Sequence, residues 1–308
     1  MRRSIRTICL TAAVATFAGA AISQELPPEG PVPTTALISV QSKQPVQLDP
    51  HALSLQVNGH EAPITSVRAA DSGPIEIAIL IDDGLRTFFG QQLTEIHDFI
   101  NSLPPNSKVL IGYMQNGMVR STGHFSSDHQ EIANQLRMTT SIPGSSASPY
   151  FCLSDFVKKW PSHDHAARFV LMITNGVDPY NGRPSIMNQD SPYVQAAQED
   201  AQRAGVAVYS IYFPDAGFRR AYGSFSGQSY LQQVGDATGG ELFNQGPIPP
   251  VTITPYLDQF SKAINASYEL GFMANANGKR ELTHIRVKTT QPGVKVHAPD
   301  GVRPGLVT

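Results

Sequence analysis

Three loops of the sequence carry side chains that could do chemistry, and each adjoins an apolar or helical segment. They read Asp82-Asp83-Gly84-Leu85-Arg86-Thr87, Gly144-Ser145-Ser146-Ala147-Ser148 and Thr174-Asn175-Gly176-Val177-Asp178. Carboxylate, hydroxyl and amide oxygens are the ligands that hard divalent cations such as Mg²⁺ and Mn²⁺ prefer. If the fold brings the three loops together, they could hold such a cation or contact a partner.

The segments between these loops predict the elements that position them. Residues 75–81, 169–173 and 206–212 are almost continuously apolar, which is typical of strands buried on both faces of a parallel sheet. Residues 88–103 and 128–138 have helical periodicity. The alternation predicts an α/β fold, a doubly wound, mostly parallel sheet with helices on both faces. Ligands of such sheets bind outside the carboxyl ends of the strands, where we expect the three loops to lie.

Strand patterns return at both ends of this α/β domain, which we place at residues 74–266. Residues 36–70 and 267–308 each contain short stretches of alternating apolar and polar residues. Because such strands need partners, we expect the two flanks to pair in a small antiparallel β subdomain. Residues 24–35 are rich in proline, which predicts an extended tether without a core.

The first 23 residues have a basic start, an apolar stretch and small residues, the pattern of a signal peptide. The alternative is an uncleaved membrane anchor, although the apolar stretch is shorter than the ~20 residues that a bilayer needs. We therefore expect export to the periplasm, the cell surface or the medium, and no membrane span after the signal is removed. Cys152 would be the single cysteine of the exported chain, and we expect it to be a buried structural thiol.

Charge and motifs argue against several classes of function. The chain has 23 Lys and Arg against 25 Asp and Glu, and no clustered basic segment that would indicate a nucleic acid partner. Residues 223–227 resemble a nucleophile elbow, but Phe225 stands where that motif needs serine. The sequence His163-Asp164-His165 follows a probable turn and predicts a solvated loop. The sequence therefore predicts a protein that is not an enzyme, with an unrecognised hydrolase as the remote alternative.

The order of these features resembles the von Willebrand factor type A domain, and in particular its bacterial secreted branch with flanking β-strands. Besides the three loops, the resemblance rests on Val57-Asn58-Gly59, Ala237-Thr238-Gly239-Gly240-Glu241-Leu242-Phe243, Tyr268-Glu269-Leu270-Gly271-Phe272 and Pro292-Gly293-Val294-Lys295-Val296. It covers nearly the whole chain after the leader. The resemblance implies a Rossmann-like fold and a site for adhesion to a protein partner that depends on a metal ion.

Several ligand positions of that metal site have lost their usual residues. The family holds the cation with an Asp-x-Ser-x-Ser loop, a Thr and a second Asp. Asp82 matches the first Asp, the serine positions fall on Gly84 and Arg86, the Thr position falls near Ser148, and the last Asp falls on Asn175. One charged ligand is left, which is too few for Mg²⁺. We therefore predict a degenerate site with no Mg²⁺ or Mn²⁺ cofactor.

Two alternatives concern the same loop. A frame shifted by one residue would use Asp83, Leu85 and Thr87, which restores a single hydroxyl. In either frame, Arg86 is an internal cation paired with Asp82 or Asp83, or else a solvated residue of a loop that has become purely structural.

The resemblance favours an exported, non-enzymatic module that binds an unidentified protein partner. We expect the partner to contact the loops that hold Asp83, Thr87, Ser146 and Asp178. The alternative is a structural component of the cell envelope that assembles through the β subdomain.

Overall fold

The computed structural model describes residues 30–43, 46–121, 123–140, 142–182, 189–214, 222–244, 246, 248–276 and 281–307, without the side chains of residues 222–224. The predicted signal peptide and the first part of the predicted tether lie outside these ranges. Within them, no helix has both the length and the apolar character that crossing a membrane requires.

The described residues form strands and helices throughout. The strands are β1 (Gly30–Ser42), β2 (Leu53–Val57), β3 (His60–Ala62), β4 (Ile64–Ala69), β5 (Ile75–Asp82), β6 (Ser107–Gln115), β7 (Met118–Ser121), β8 (Ala167–Thr174), β9 (Val206–Tyr212), β10 (Leu242–Phe243), β11 (Ser267–Ala276), β12 (Thr283–Thr289), β13 (Val294–His297) and β14 (Gly301–Val302). The helices are α1 (Leu93–Ser102), α2 (His129–Ala133), α3 (Pro149–Lys158), α4 (Pro192–Ala204), α5 (Tyr222–Thr238) and α6 (Thr254–Asn265). A 3-10 segment, Thr87–Gln92, precedes α1.

A six-stranded sheet in the order β10-β9-β8-β5-β6-β7 forms the centre of the fold. All neighbours in it are parallel except β6 and β7. Helices α1, α2 and α6 pack on one face of the sheet, and α3, α4 and α5 pack on the other. Every residue of β5 is buried, as its apolar sequence predicts. The doubly wound α/β fold is therefore confirmed.

Local sequence signals explain where two of the helices begin and end. Ser148 and Ser191 cap the N-termini of α3 and α4, and a proline follows each of them at the first helical position. Helix α4 ends at Gly205, whose φ of 67° is the left-handed conformation that glycine adopts without steric cost. These caps set the start of α3 beside the second predicted loop.

The two flanks pair with each other in an antiparallel β subdomain, as predicted, and they form two sheets. One sheet has the order β13-β1-β11-β4 and the other has the order β14-β12-β2-β3. Their facing sides enclose a separate apolar core that includes Ile38, Leu55, Leu270 and Phe272. The β subdomain lies at the amino ends of the parallel strands, where Ser39 Oγ donates to the Gly239 carbonyl just after α5.

The predicted tether is wrong from residue 30 onward, because residues 30–35 form the first part of β1. This part pairs with β11, and Thr34 is 1% exposed. The sequence suggested a tether because Pro31 and Pro33 have no backbone N–H to donate to a neighbouring strand. The side of β1 opposite β11 is covered at this point by the C-terminal segment, with Thr35 N donating to the Leu306 carbonyl, and strand β13 begins to pair only at Ser39. The two prolines therefore cost no hydrogen bond between strands.

Candidate functional site

Asp82 lies at the carboxyl end of β5, where residues of all three predicted loops meet. Its Oδ2 accepts hydrogen bonds from Thr174 Oγ1 at 2.8 Å and from Ser146 Oγ at 3.4 Å. Its Oδ1 accepts a hydrogen bond from the Gly84 backbone N–H at 3.0 Å. The structure thus brings the first residue of the predicted metal site into contact with the second and third loops, and donors of the chain itself hold both carboxylate oxygens.

Burial dominates the electrostatics of Asp82. The side chain is fully enclosed, and desolvation raises its pKa, against the opposing effect of the hydrogen bonds from Thr174, Gly84 and Ser146. The neighbouring carboxylate of Asp83 raises the pKa further. The hydrogen bonds are what allows a carboxylate to stay in so enclosed a position.

Gly84 stands at the first serine position of the predicted site, and the space for a side chain there is already filled. A Cβ atom on Gly84 would lie 2.9 Å from the Ile142 carbonyl oxygen and 3.1 Å from the Gly144 nitrogen. The loop of residues 142–145 therefore covers the position from which a serine would reach a cation.

The remaining predicted ligands are used in local structure. Ser148 Oγ accepts from the Tyr150 N–H as the N-cap of α3, at 3.3 Å. Asn175 Oδ1 accepts from the Val177 N–H at 2.9 Å in a tight turn. In the described part of the chain, no group of three or more His, Cys, Asp and Glu side chains is arranged to hold a metal ion. One carboxylate with two hydroxyls does not fit the near-octahedral oxygen shell of Mg²⁺.

Asp83 pairs with Arg137, a residue that the sequence analysis did not include in the site. Arg137 Nη1 donates to Asp83 Oδ1 at 2.8 Å, and the Thr140 N–H and Gln115 Nε2 complete the shell at 3.2 Å and 3.1 Å. Asp83 is 0% exposed. The guanidinium lies over the ring of Tyr113, 3.8 Å from its centroid.

Arg137 thus takes the role at Asp83 that the sequence suggested for Arg86, and the pairing of Arg86 itself stays a prediction. The hydrogen bond to Asp83 raises the pKa of Arg137, as expected of a guanidinium paired with a buried carboxylate. Sequence reasoning missed Arg137 because residues 128–138 predicted one continuous helix. Helix α2 ends at Ala133, so the chain is free to turn and bring Arg137 back over β5.

The shifted frame forms no site either. The oxygens of Asp83 are engaged as described, Leu85 is buried, and Thr87 is exposed at the start of the 3-10 segment. Of the four predicted partner contacts, Asp83, Ser146 and Asp178 are buried, so only Thr87 can meet a partner directly. Asp178 accepts from the Ser191 hydroxyl at 3.0 Å and thereby holds the loop before α4.

The other candidates of the sequence have structural roles. Burial raises the pKa of the Cys152 thiol to about 12, and the Sγ donates to the Ser146 carbonyl at 3.3 Å. The elbow-like residues 223–227 belong to α5. Asp164 pairs with Lys108, and His165 contacts the Val307 carbonyl at the surface.

A serine and a histidine approach each other at the other end of the sheet. His129 Nε2 lies 3.3 Å from Ser107 Oγ, but that hydroxyl donates to the Pro104 carbonyl at 2.6 Å. Ser107 is buried at the amino end of β6, away from the carboxyl-end loops. This pair therefore closes a turn and does not present a nucleophile.

Comparison with known proteins finds similarity among solved structures. No family model matches the chain, and no curated protein matches it. An aerotolerance-related membrane protein from Bacteroides fragilis is 13% identical and is matched over 62% of this chain and 98% of its own, with a TM-score of 0.44. A von Willebrand factor type A protein from Catenulispora acidiphila is 9% identical over 89% and 74%, with a TM-score of 0.43. The pilus adhesin SpaC from Lactobacillus rhamnosus GG is 9% identical over 83% and 48%, with a TM-score of 0.45.

The strand order, the helices on both faces and the Asp82 loop at the carboxyl edge form the arrangement that the sequence resemblance predicted. The chain has the fold of a von Willebrand factor type A domain. With TM-scores below 0.5, these likenesses carry no argument about what the chain does, so its role has to be argued from its own surface.

Most of the large apolar side chains exposed in the described part of the chain lie at the carboxyl-end edge of the α/β domain. In the described part of the chain, eleven large apolar side chains are exposed, and eight of them lie in or next to the loops at this edge. These eight are Met118, Met138, Ile142, Tyr180, Tyr193, Phe225, Ile248 and Val251. The other three, Val46, Met273 and Val307, lie in the β flanks.

Proposed function

We propose that this chain is a non-enzymatic, exported protein-binding module whose partner docks on the carboxyl-end edge of the type A domain without a metal ion. The observation that carries the proposal is the concentration of exposed apolar side chains at that edge. Exposed apolar groups that cluster on one face mark interaction sites, whereas scattered ones need no explanation.

Part of this edge carries exposed aromatic side chains that pack against each other, a feature that protein interfaces share. Phe151 packs against Tyr180 and Tyr193, with ring centroids 5.0 Å and 4.9 Å apart. Tyr180 is nevertheless 56% exposed. Aromatic and methionine side chains are enriched in interfaces, and rings that are already held in place lose little entropy on binding. These aromatic residues, with Met118 on the neighbouring hairpin, are the anchors that we expect a partner to cover.

The loops around Asp82 support this surface instead of holding a cation. Asp82 and Asp83 accept their hydrogen bonds from side chains and backbone of the surrounding loops, so groups of the chain itself join these loops. Apolar contact then supplies the affinity, with about 1.5–3 kcal/mol for each large side chain that becomes fully buried. A carboxylate from the partner, which coordinates the cation in a metal-dependent adhesion site, is not needed.

The experiment is native capture with the mature protein as bait from envelope and culture extracts, with and without chelator. We expect a specific partner whose binding is lost in Tyr180→Ser and Phe225→Ser, and which the chelator leaves in place. The matched control is Met273→Ser, which removes a side chain that is 41% exposed in the β subdomain. Retention of the partner by both edge variants, with loss in Met273→Ser, would overturn the proposal in favour of assembly through the β subdomain.

A further inference from the structure

Strand β12 presents a row of basic side chains to solvent. His284, Arg286 and Lys288 alternate with Ile285 and Val287, so they share the outer face of the strand. The three basic residues are exposed, while Ile285 and Val287 pack into the core of the β subdomain. Alternation by itself is ordinary for a half-buried strand, but two successive outward residues, Arg286 and Lys288, carry a positive charge at neutral pH.

These charges differ from most of the other cations of the chain. Arg137, Arg168 and Arg203 pair with carboxylates in the type A domain. Arg68 in β4 pairs with Glu269 in β11. Among the described residues, no carboxylate lies within salt-bridge distance of the basic row on β12. The row is therefore a local excess of positive charge on a protein whose formal net charge is −2.

The row adjoins a strand edge that is open over half its length. Strand β14 pairs with β12 only at Thr283 and His284, and one further bond joins the Ile285 N–H to the Asp300 carbonyl. Beyond Ile285, this edge of β12 borders a groove of about 600 Å³ instead of another strand. The groove is lined by Gln56, Arg286, Val296, Ala298 and Asp300, among others.

We propose that an extended acidic segment of a protein partner adds to this open edge of β12. An added strand bonds to the free backbone groups of an edge, and its side chains stand beside those of the edge strand on the same face. Carboxylates at alternate positions, about 6.6–6.8 Å apart, match the spacing of Arg286 and Lys288. The side chains between them face Val296 and Ala298, which favours small apolar residues there.

Asp300 sets the register of the segment. It stands at the end of the groove, where its carboxylate interacts with His284 and Arg286 and disfavours another acid beside His284. The acidic residues of the partner therefore lie by Arg286 and Lys288, toward the far end of β12. This surface is separate from the carboxyl-end edge, so the inference does not depend on the function proposed for that edge.

Calorimetric titration of the mature protein with a short peptide of alternating glutamate and valine tests the inference. We expect binding that Arg286→Glu weakens by about tenfold or more, as for the loss of one close charge pair. Lys262→Glu, the same change at an exposed lysine on α6, should leave the affinity unchanged. A double variant Arg286→Glu, Lys288→Glu should instead bind a peptide of alternating lysine and valine.

Two further arms separate the inference from simpler explanations. A peptide of the same composition with its glutamates in one block should bind more weakly, and equal binding would show attraction to any polyanion and overturn the strand-addition model. Absence of binding would also overturn the model. So would dimers of the protein that depend on Arg286, because a second copy would then cover the edge. Tyr180→Ser should bind the peptide normally, which keeps this result distinct from the test of the carboxyl-end edge.

Discussion

Arg137 Nη1 donates to Asp83 Oδ1 across 2.8 Å, and this ion pair joins the segment after α2 to the end of β5. Asp83 is fully buried, whereas the Arg137 side chain is 45% exposed. The guanidinium therefore covers the buried carboxylate on its solvent side. A cation from the chain stands close to the place where the resemblance leads one to expect a metal ion.

Loss of this cation should destabilise the fold. In Arg137→Ala, Asp83 keeps two hydrogen-bond donors but has no compensating charge, so we expect a loss of about 1–3 kcal/mol in the free energy of unfolding. Urea unfolding followed by the fluorescence of Trp160, the single tryptophan, measures it. Arg120→Ala on β7 removes an exposed arginine and serves as the control. Equal stability of the two variants would contradict the structural role of the pair.

Divalent cations should leave the melting curve of the chelated protein unmoved. An ion that binds only the native state, present at 100 times its dissociation constant, would add about 2.7 kcal/mol of stability. We expect no such shift on titration with millimolar Mg²⁺ or Mn²⁺, because Asp82 is the only carboxylate among the matched ligand positions. A saturable rise in Tm that disappears in Asp82→Ala would show that the site binds metal.

Restoring the family's serine should not restore the site. In Gly84→Ser the new Cβ would meet the Ile142 carbonyl oxygen at 2.9 Å, so the covering loop must shift, at a cost of about 1–3 kcal/mol. Gly73→Ser is the matched control, because a Cβ there meets nothing closer than the Ala70 carbonyl oxygen at 4.0 Å. Thermal unfolding with and without Mg²⁺ compares the two. Unchanged stability in Gly84→Ser together with a new Mg²⁺ response would refute this account of the loop.

Acid should weaken the attachment of α6 to α1 through Glu95. Glu95 Oε2 accepts from the Thr254 hydroxyl and N–H, both at 2.6 Å, from the Thr252 hydroxyl at 2.7 Å and from the Ile253 N–H at 2.8 Å. Burial acts to raise the pKa of Glu95, but these hydrogen bonds outweigh it, and the pKa lies below its ordinary value. Because the folded-state pKa is depressed, the stabilisation is complete above the unfolded pKa of about 4.3 and is lost as the pH falls through the folded pKa.

The corresponding measurement is the difference in Tm between the natural protein and Glu95→Gln as a function of pH. We expect the natural protein to be more stable at neutral pH, and the difference to shrink below about pH 4.3. Asp98→Asn, an exposed change on the same helix, corrects for the loss of one charge. A difference that grows toward low pH would have the wrong sign for this network.

The α/β architecture and the place of the loops could be predicted from the sequence. The apolar sequence of β5 is typical of a strand buried on both faces. Serine followed by proline at 148 and 191 is a favoured start of a helix. Strand patterns in both flanks required partners, and each flank found them in the other. These features follow from neighbours along the chain, which a sequence displays directly.

The contacts and the burial of the loop residues are known only from the tertiary structure. Arg137 reaches Asp83 because α2 stops early, and Pro31 and Pro33 join a strand because the C-terminal segment lies beside them. The burial of Asp83, Ser146 and Asp178 likewise depends on segments far away in the chain. Burial and charge pairing are set by groups that are distant in sequence and close in space, so residue type and spacing alone do not reveal them.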